Sequence, residues 1–262
     1  MNIIIPTLGR IHNQKTFNNL PARWKEKVQF VVQNQEYKEF CSVHGSSHVH
    51  KLPKEIDNIA TTREWIHNNF KHAKYFVFDD DLEFKVKEPN KSGNTKWSTR
   101  FFNHEDFDDM FDIVSKWMDD GLVHGALGTT WIIPTLDQWP YSDNLRIMTN
   151  VFYNGPKVPE DIEWNRVKYA EDFDVNLQLL TRGFKNRRFH KYLVDAGNTN
   201  AEGGCSTKRT LEAHNKSQQL LKDLWPNFIK LTEKIATSGE WKGKLKLGTI
   251  IQHKKAYLSS IT

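Results

Sequence analysis

Three carboxylates in a row, Asp79-Asp80-Asp81, close the apolar run Lys74–Phe78 (KYFVF). Anions this close repel one another, and burial at a strand end adds to the cost, so the arrangement calls for a cation. One or two carboxylates completed by phosphate oxygens are the usual surroundings of Mg2+ or Mn2+. Side chains alternate along a strand, which predicts that Asp79 and Asp81 point one way and Asp80 the other. An acidic turn that only closes a strand would read the same. A second pair, Glu171-Asp172, opens a helical pattern, where acids also serve as a cap or favour the helix dipole. Glu105, Asp106, Asp108 and Asp109 fall in the first turns of another helix and are read as helix surface.

The cations gather elsewhere. Lys85–Arg100 carries five positive charges and one negative, Arg182–Lys191 carries five and no carboxylate, and Lys242–Lys255 holds five lysines without an acid. The net charge is only +5, with a pI near 9.0. Segregation, more than excess, therefore suggests a polyanionic partner on one face; an ordinary solvated surface is the alternative.

These groups need a scaffold. With 262 residues, 38% hydrophobic and 26% charged, the chain suits one sizeable globular α/β domain. No apolar run approaches the roughly 18–20 residues of a membrane span. The first residues, MNIIIPTLGR, lack the pattern of a signal peptide, and Cys41 and Cys205 form no CxxC, so a cytosolic chain without a zinc framework is expected. Strands are predicted at Asn2–Pro6, Val28–Val32, His48–Leu52 and Lys74–Phe78, with a helix at Ile56–Phe70. Continuous apolar strands alternating with helices argue for a mainly parallel sheet covered on both faces. Residues 88–100 read as a long loop and Asn103 as the start of a helix. Val123–Pro134 and Arg146–Tyr153 read as strands around the turn Trp139-Pro140-Tyr141. A helix follows at Asp172–Arg182, stopped by Gly183, then a strand at Arg188–Val194 and a glycine-rich segment at Asp195–Thr207. Leu211–Lys234 reads as helix and the remainder as a basic, partly extended tail.

The succession IIIPTLGR, IATTREW, FVFDDDLEF and AEDFDVNLQLLTRGF resembles the nucleotide-sugar-dependent glycosyltransferases of the GT-A fold, over roughly residues 2–195. The resemblance implies an open mixed, mainly parallel sheet flanked by helices. It divides a single domain into a nucleotide-binding half (1–84), an acceptor half (101–210) and a C-terminal helix with a basic tail (211–262). It implies that Pro6, Thr7 and Arg10 hold the nucleoside and that Arg63 lies near the nucleotide. Asp79 and Asp80 would serve the ribose and donor, with Asp81 and Asp79 on the divalent cation. A downstream histidine often completes that metal site; His190, His214 and His253 are candidates, and His214 is preferred. A uracil-binding aspartate is common after the second strand, where this chain has Gln33-Asn34-Gln35. Sugar transfer with inversion requires a base for the acceptor hydroxyl, and Asp172 is the expected base, with Glu171 orienting the acceptor. The segment AEGGCSTKR could lie over the diphosphate, with Gly203 and Gly204 approaching closely and Lys208 or Arg209 countering charge.

Size, the FDDD strand and the short N-terminus further resemble the glycosyltransferases associated with DNA oxygenases, which modify hydroxymethyl pyrimidines in DNA. That implies a UDP-sugar donor, a DNA acceptor and no membrane partner. Phosphate contacts are then expected from Lys85, Lys87, Lys91, Lys96, Arg100, Arg187 and Arg188, with Trp97, Trp139 or Tyr141 available to stack on a base. A glycosyltransferase for surface glycans or glycolipids, a nucleotidyltransferase and a non-catalytic DNA-binding module remain alternatives. The last of these leaves the acidic strand end unexplained.

Overall fold

The computed structural model describes residues 1–90, 97–196, 209–237 and 240–261. Strands and helices alternate through β1 (Asn2–Thr7), α1 (Lys15–Asn19), α2 (Ala22–Lys25), β2 (Val28–Val32), α3 (Tyr37–His44), β3 (Val49–Lys51), α4 (Ile59–Phe70) and β4 (Lys74–Phe78). Next come β5 (Glu83–Pro89), β6 (Trp97–Phe101), α5 (His104–Asp119), β7 (His124–Thr129), β8 (Tyr141–Asp143), β9 (Asn150–Asn154), α6 (Glu171–Thr181) and β10 (Asn186–Asp195). The last elements are α7 (Leu211–Leu224), β11 (Ile229–Ile235), β12 (Leu245–Ile251) and α8 (His253–Leu258).

The sheet order is β3-β2-β1-β4-β9-β7-β10-β5-β6, with β8 also on β10. β1, β2, β3, β4, β7, β10 and β6 run one way, and β9, β5 and β8 the other. This is the expected mixed, mainly parallel sheet. Its strands are apolar throughout because both faces are buried. Ile3, Ile5, Phe76 and Phe78 pack with Phe107, Met110 and Phe111 of α5 on one face. Ile4, Tyr75 and Val77 pack with Ile66 of α4 and Val175 and Leu179 of α6 on the other. Asn58 caps α4 by accepting from the N–H groups of Ala60 and Thr61, which fixes where that helix starts beside the sheet.

Several expected elements differ: the strand expected over Val123–Pro134 stops at Thr129, the one expected over Arg146–Tyr153 starts only at Asn150, and Tyr141 of the expected turn begins β8. Residues 88–100 do not form a free loop: β5 runs to Pro89 and pairs antiparallel with β6, from Lys85 opposite Phe101 to Pro89 opposite Trp97. Phe84 and Val86 point inward between Glu83, Lys85 and Lys87, of which Lys87 is itself buried, so the period-2 pattern is masked by the polar composition. The helix expected over Leu211–Lys234 ends at Leu224, before Trp225-Pro226, and the chain returns as β11 against β12. Proline disfavours helix at the residue before it, which accounts for the stop. A small third cluster, with Leu177 and Leu180 of α6 against Leu221, Ile229 and Ala256, joins this extension to the domain.

Gly125 of β7 lies where the sheet is tightest: a Cβ there would sit 2.3 Å from the Arg187 carbonyl oxygen and 2.3 Å from the Phe152 ring. Gly125→Ala should therefore cost about 1–3 kcal/mol of stability. Urea unfolding would show this as a lower midpoint; an unchanged midpoint would contradict it.

Candidate active site

A cleft of about 1020 Å3 opens at the carboxyl ends of the parallel strands. In open α/β sheets this is where ligands bind, because the loops diverge there and helix N-termini point inward. Its walls come from the ends of β1, β2, β4, β7 and β10, from the N-terminal turns of α4 and α6, and from the C-terminal extension.

The acidic turn after β4 is clamped from below. Thr16, fully buried in α1, donates its hydroxyl to the Asp79 carbonyl, accepts from the Leu82 N–H at 2.9 Å, and its own N–H reaches the Asp80 carbonyl at 3.0 Å. The Asp79 N–H donates to the Thr149 carbonyl at 3.0 Å. Thr149 sits at φ 61°, in the left-handed region, where a β-branched residue costs about 1–3 kcal/mol. Asp80 is buried and accepts from the Thr7 hydroxyl at 2.5 Å and from Arg10, whose guanidinium also reaches Asp81 at 3.0 Å. Strand alternation does not carry through the triplet, because β4 ends at Phe78. Asp80 and Asp81 share Arg10, while Asp79 turns to Arg63.

Arg63 joins this turn to the second acidic pair. Its guanidinium is buried, with Nη2 3.3 Å from Asp79 and Nε 3.3 Å from Glu171. Nη1 is buried without a hydrogen-bond partner. Burial alone would lower the pKa of Arg63, but the carboxylates of Asp79 and Glu171 outweigh it and raise it. The carboxylates feel the reverse. Burial pushes Asp79 up to about 7, against the pull of Arg63 and with help from Asp81 and Asp80. Burial and neighbouring Asp172 push Glu171 up to about 8, again against Arg63. Asp172 is raised by burial as well, although Arg63 and Arg146 pull it down. Five carboxylates, Asp79, Asp80, Asp81, Glu171 and Asp172, thus share the cleft with three arginines, Arg10, Arg63 and Arg146, and hard oxygen donors in excess suit a divalent cation. Asp79 and Asp81, though turned to different arginines, are the carboxylates that could contribute to one. Among the described residues no group of three or more His, Cys, Asp or Glu side chains is arranged to hold a metal ion.

Pro6, Thr7, Arg10, Arg63, Asp79, Asp80, Asp81, Glu171 and Asp172 all line this one cleft. Val31, Leu52 and Gln33 line it beside Pro6, forming an apolar slot with one amide. His214 lines it too, but its Nε2 lies 2.9 Å from the Leu247 carbonyl, so the expected third metal ligand is instead anchored to the extension. His253 is another lining residue, whereas His190 is absent from the walls and meets Ser142 at 3.1 Å.

The expected DNA contacts fare differently. Lys87 is buried, donating to the carbonyls of Thr130 and Ile132, and Arg188 is buried, donating to the Arg146 carbonyl at 2.9 Å. Both are structural. Lys85 pairs with Asp195 at 2.8 Å, and Arg100 pairs with Asp106 through two bonds of 2.5 and 3.0 Å. Arg187 forks onto Asp143 at 2.7 and 3.0 Å and stacks over Tyr141. Trp97 is half-buried in β6, and the Trp139 ring N–H donates to the Lys87 carbonyl. None of these lines the cleft. Lys91, Lys96, Gly203, Gly204 and Lys208 lie outside the described residues. In their place the walls include Trp131, 64% exposed, and Arg146, Arg209, Lys234 and Lys246. Trp131 lies two residues past the end of β7, inside the segment expected to be strand, so its place at a strand end was not visible in the sequence.

The raised Glu171 carboxyl has a consequence for stability. Its stabilising proton is held fully below about 4.5 and is lost as pH rises through about 8, so ionisation works against the fold across that window. Glu171→Gln, which cannot ionise, should gain on the parent protein in thermal midpoint between pH 5 and pH 8, by roughly 2–4 °C per kcal/mol. A gap that stays constant or shrinks over that range would contradict the assignment.

Comparison with known proteins places the chain in a family. The TET-associated glycosyltransferase family is matched by residues 1–204. The β-glucosyl-HMC-α-glucosyl-transferase of Enterobacteria phage T6 is 25% identical over 230 residues, covering 86% of this chain and 81% of that protein. The phage T2 protein of the same name is 24% identical over the same shares. Among solved structures, S. aureus TarS 1–349 in complex with UDP is 13% identical with a TM-score of 0.48, over 87% of this chain and 66% of that one. A putative glucose-1-phosphate thymidylyltransferase from Bacillus anthracis is 10% identical with a TM-score of 0.40, over 73% and 88%. The family match spans the acidic turn, Arg63 and the Glu171-Asp172 pair, and the chain belongs to the TET-associated glycosyltransferases.

Proposed function

We propose that this glycosyltransferase moves a sugar from a nucleotide diphosphate sugar, a UDP-sugar, to 5-hydroxymethylcytosine or a related hydroxymethyl pyrimidine in DNA. The phage T6 and T2 proteins are named for a β-glucosyl-HMC acceptor, so a hydroxymethyl base that already carries a glucosyl group falls within this reading. The observation that carries this reading is the convergence of Asp79-Asp80-Asp81 and Glu171-Asp172 on one cleft, linked through Arg63. Cytoplasmic action, in the host if the gene is a phage's, follows from a DNA acceptor. Among the described residues no helix is long and apolar enough to cross a membrane.

In this reading Pro6, Val31 and Leu52 enclose the base, Gln33 offers it an amide, and Asp80, steadied by Thr7 and Arg10, faces the ribose. Asp79 and Asp81 hold Mn2+ or Mg2+, which when bound supplies positive charge against the diphosphate leaving group. Asp172 is half-buried and accepts the N–H of Phe173 at 2.9 Å, whereas Glu171 is committed to Arg63. That leaves Asp172 to take the acceptor hydroxyl proton as its oxygen bonds to the anomeric carbon and the bond from that carbon to the diphosphate breaks. Burial raises the affinity of Asp172 for a proton, which suits a base.

Release of UDP from UDP-glucose with Mn2+ tests the reading against unmodified, hydroxymethylated and β-glucosylated hydroxymethylcytosine DNA. Release is expected with a modified DNA only and should stop with chelator. Asp172→Asn should slow it about 10²–10⁴-fold while UDP still binds. Equal release with and without modified DNA would move the acceptor elsewhere, and full activity of the variant would remove Asp172 as the base.

A further inference from the structure

The two basic stretches most visible in the sequence are largely taken up by internal contacts, so the phosphates of a DNA acceptor need another surface. The C-terminal hairpin offers one. Its register sets Lys234 directly opposite Lys246 and Thr232 opposite Gly248. Alternation places all four on one face, and all four line the cleft. The free edge of β12 is tied to α7: Asn215 accepts the Leu247 N–H at 2.9 Å and His214 meets the Leu247 carbonyl. Like charges directly across a strand pair destabilise it. Lys246 also meets Arg209: both lie over the Trp241 ring, at 5.3 and 5.4 Å, and His214 packs against the same ring. Burial and Arg209 hold the Lys246 ammonium below its usual pKa. Among the described residues neither Lys234 nor Lys246 has a carboxylate partner in an ion pair. His214, 8% exposed on the same cleft, keeps its Nδ1 without a hydrogen-bond partner. Cations held together against their own repulsion, with a donor-capable buried nitrogen beside them, form a place for an anion.

Which anion is decided by the surroundings. Trp131, 64% exposed, and Ile250, 55% exposed, line the same cleft and present apolar surface that a base or sugar can cover and an isolated phosphate cannot. The hairpin also lies beyond residues 1–204, the part matched by the family. We infer that the β11–β12 hairpin is the DNA-docking surface, with Lys234 and Lys246 holding backbone phosphates beside the target nucleotide. This rests on the reading that DNA is the acceptor.

The test is a Lys234→Ala/Lys246→Ala double variant of the full chain; neither side chain belongs to the apolar core, and circular dichroism and thermal midpoint establish that it folds. KM for modified DNA is measured across a salt series, and UDP affinity separately by calorimetry. KM for DNA should rise about tenfold at moderate salt, and the slope of log KM against log salt should flatten by about 2, one unit per lost phosphate contact. UDP affinity should stay as in the parent protein. Weakened UDP binding with an unchanged KM for DNA would assign the lysines to the donor diphosphate and overturn the inference. So would a variant that matches the parent in both. If the parent protein itself turned over no DNA, the proposed function would fall first, and that outcome is distinguishable because it appears without any substitution.

Discussion

The buried guanidinium of Arg63 is the interaction on which the site depends. It donates to Asp79, at the end of a central strand, and to Glu171, 108 residues further along at the start of α6. A buried charge is tolerated only with close, well-directed partners, and removing one of these leaves the other exposed to the full cost of desolvation. Arg63 thus ties the part of the chain that forms β1 to β4 to the part that carries the second acidic pair. Its own position follows from the Asn58 cap and from packing of α4 against the sheet through Ile66. The clamp made by Thr16 and the strained Thr149 serve the same end, holding three like charges in a turn that would otherwise open. Burial and crowding with other carboxylates, expressed in the raised Asp79 and Glu171 carboxyls, are the cost of that geometry.

The cleft is acidic where the sheet ends and basic where the C-terminal extension closes over it. The two are mechanically linked, because the extension packs on α6 through Leu177, Leu180, Leu221 and Ile229. The helix whose first turn carries Glu171 and Asp172 is therefore fixed by the sheet on one side and the extension on the other. In the proposed reaction, a donor cation belongs at the acidic end and the acceptor's phosphates at the basic one.

Much of this was legible in the chain because strands buried on both faces must be apolar runs. Val28–Val32 and Lys74–Phe78 have the boundaries expected of them, and the chemistry at their ends stood out against that background. Arg63 and Glu171 came from resemblance, since nothing in their spacing announces a contact. Charge counting failed for a different reason. Lys87 and Arg188 sit in basic stretches, but their partners are backbone carbonyls distant in sequence, and a local window cannot see them. The same blindness hid the cross-strand meeting of Lys234 and Lys246, which exists only once β11 and β12 pair as a hairpin. Phe84 and Val86, too few among lysines and glutamates, left β5 reading as loop.

The central claim is that the acidic turn, with Arg63 behind it, receives the donor diphosphate through a divalent cation. The most direct measurement is a crystal structure of the protein with UDP and Mn2+, with the metal located by anomalous scattering. The account predicts a manganese peak bridging Asp81 or Asp79 and the diphosphate, with Arg10 displaced from Asp81. A diphosphate held by lysines or arginines with no metal at the turn would contradict it.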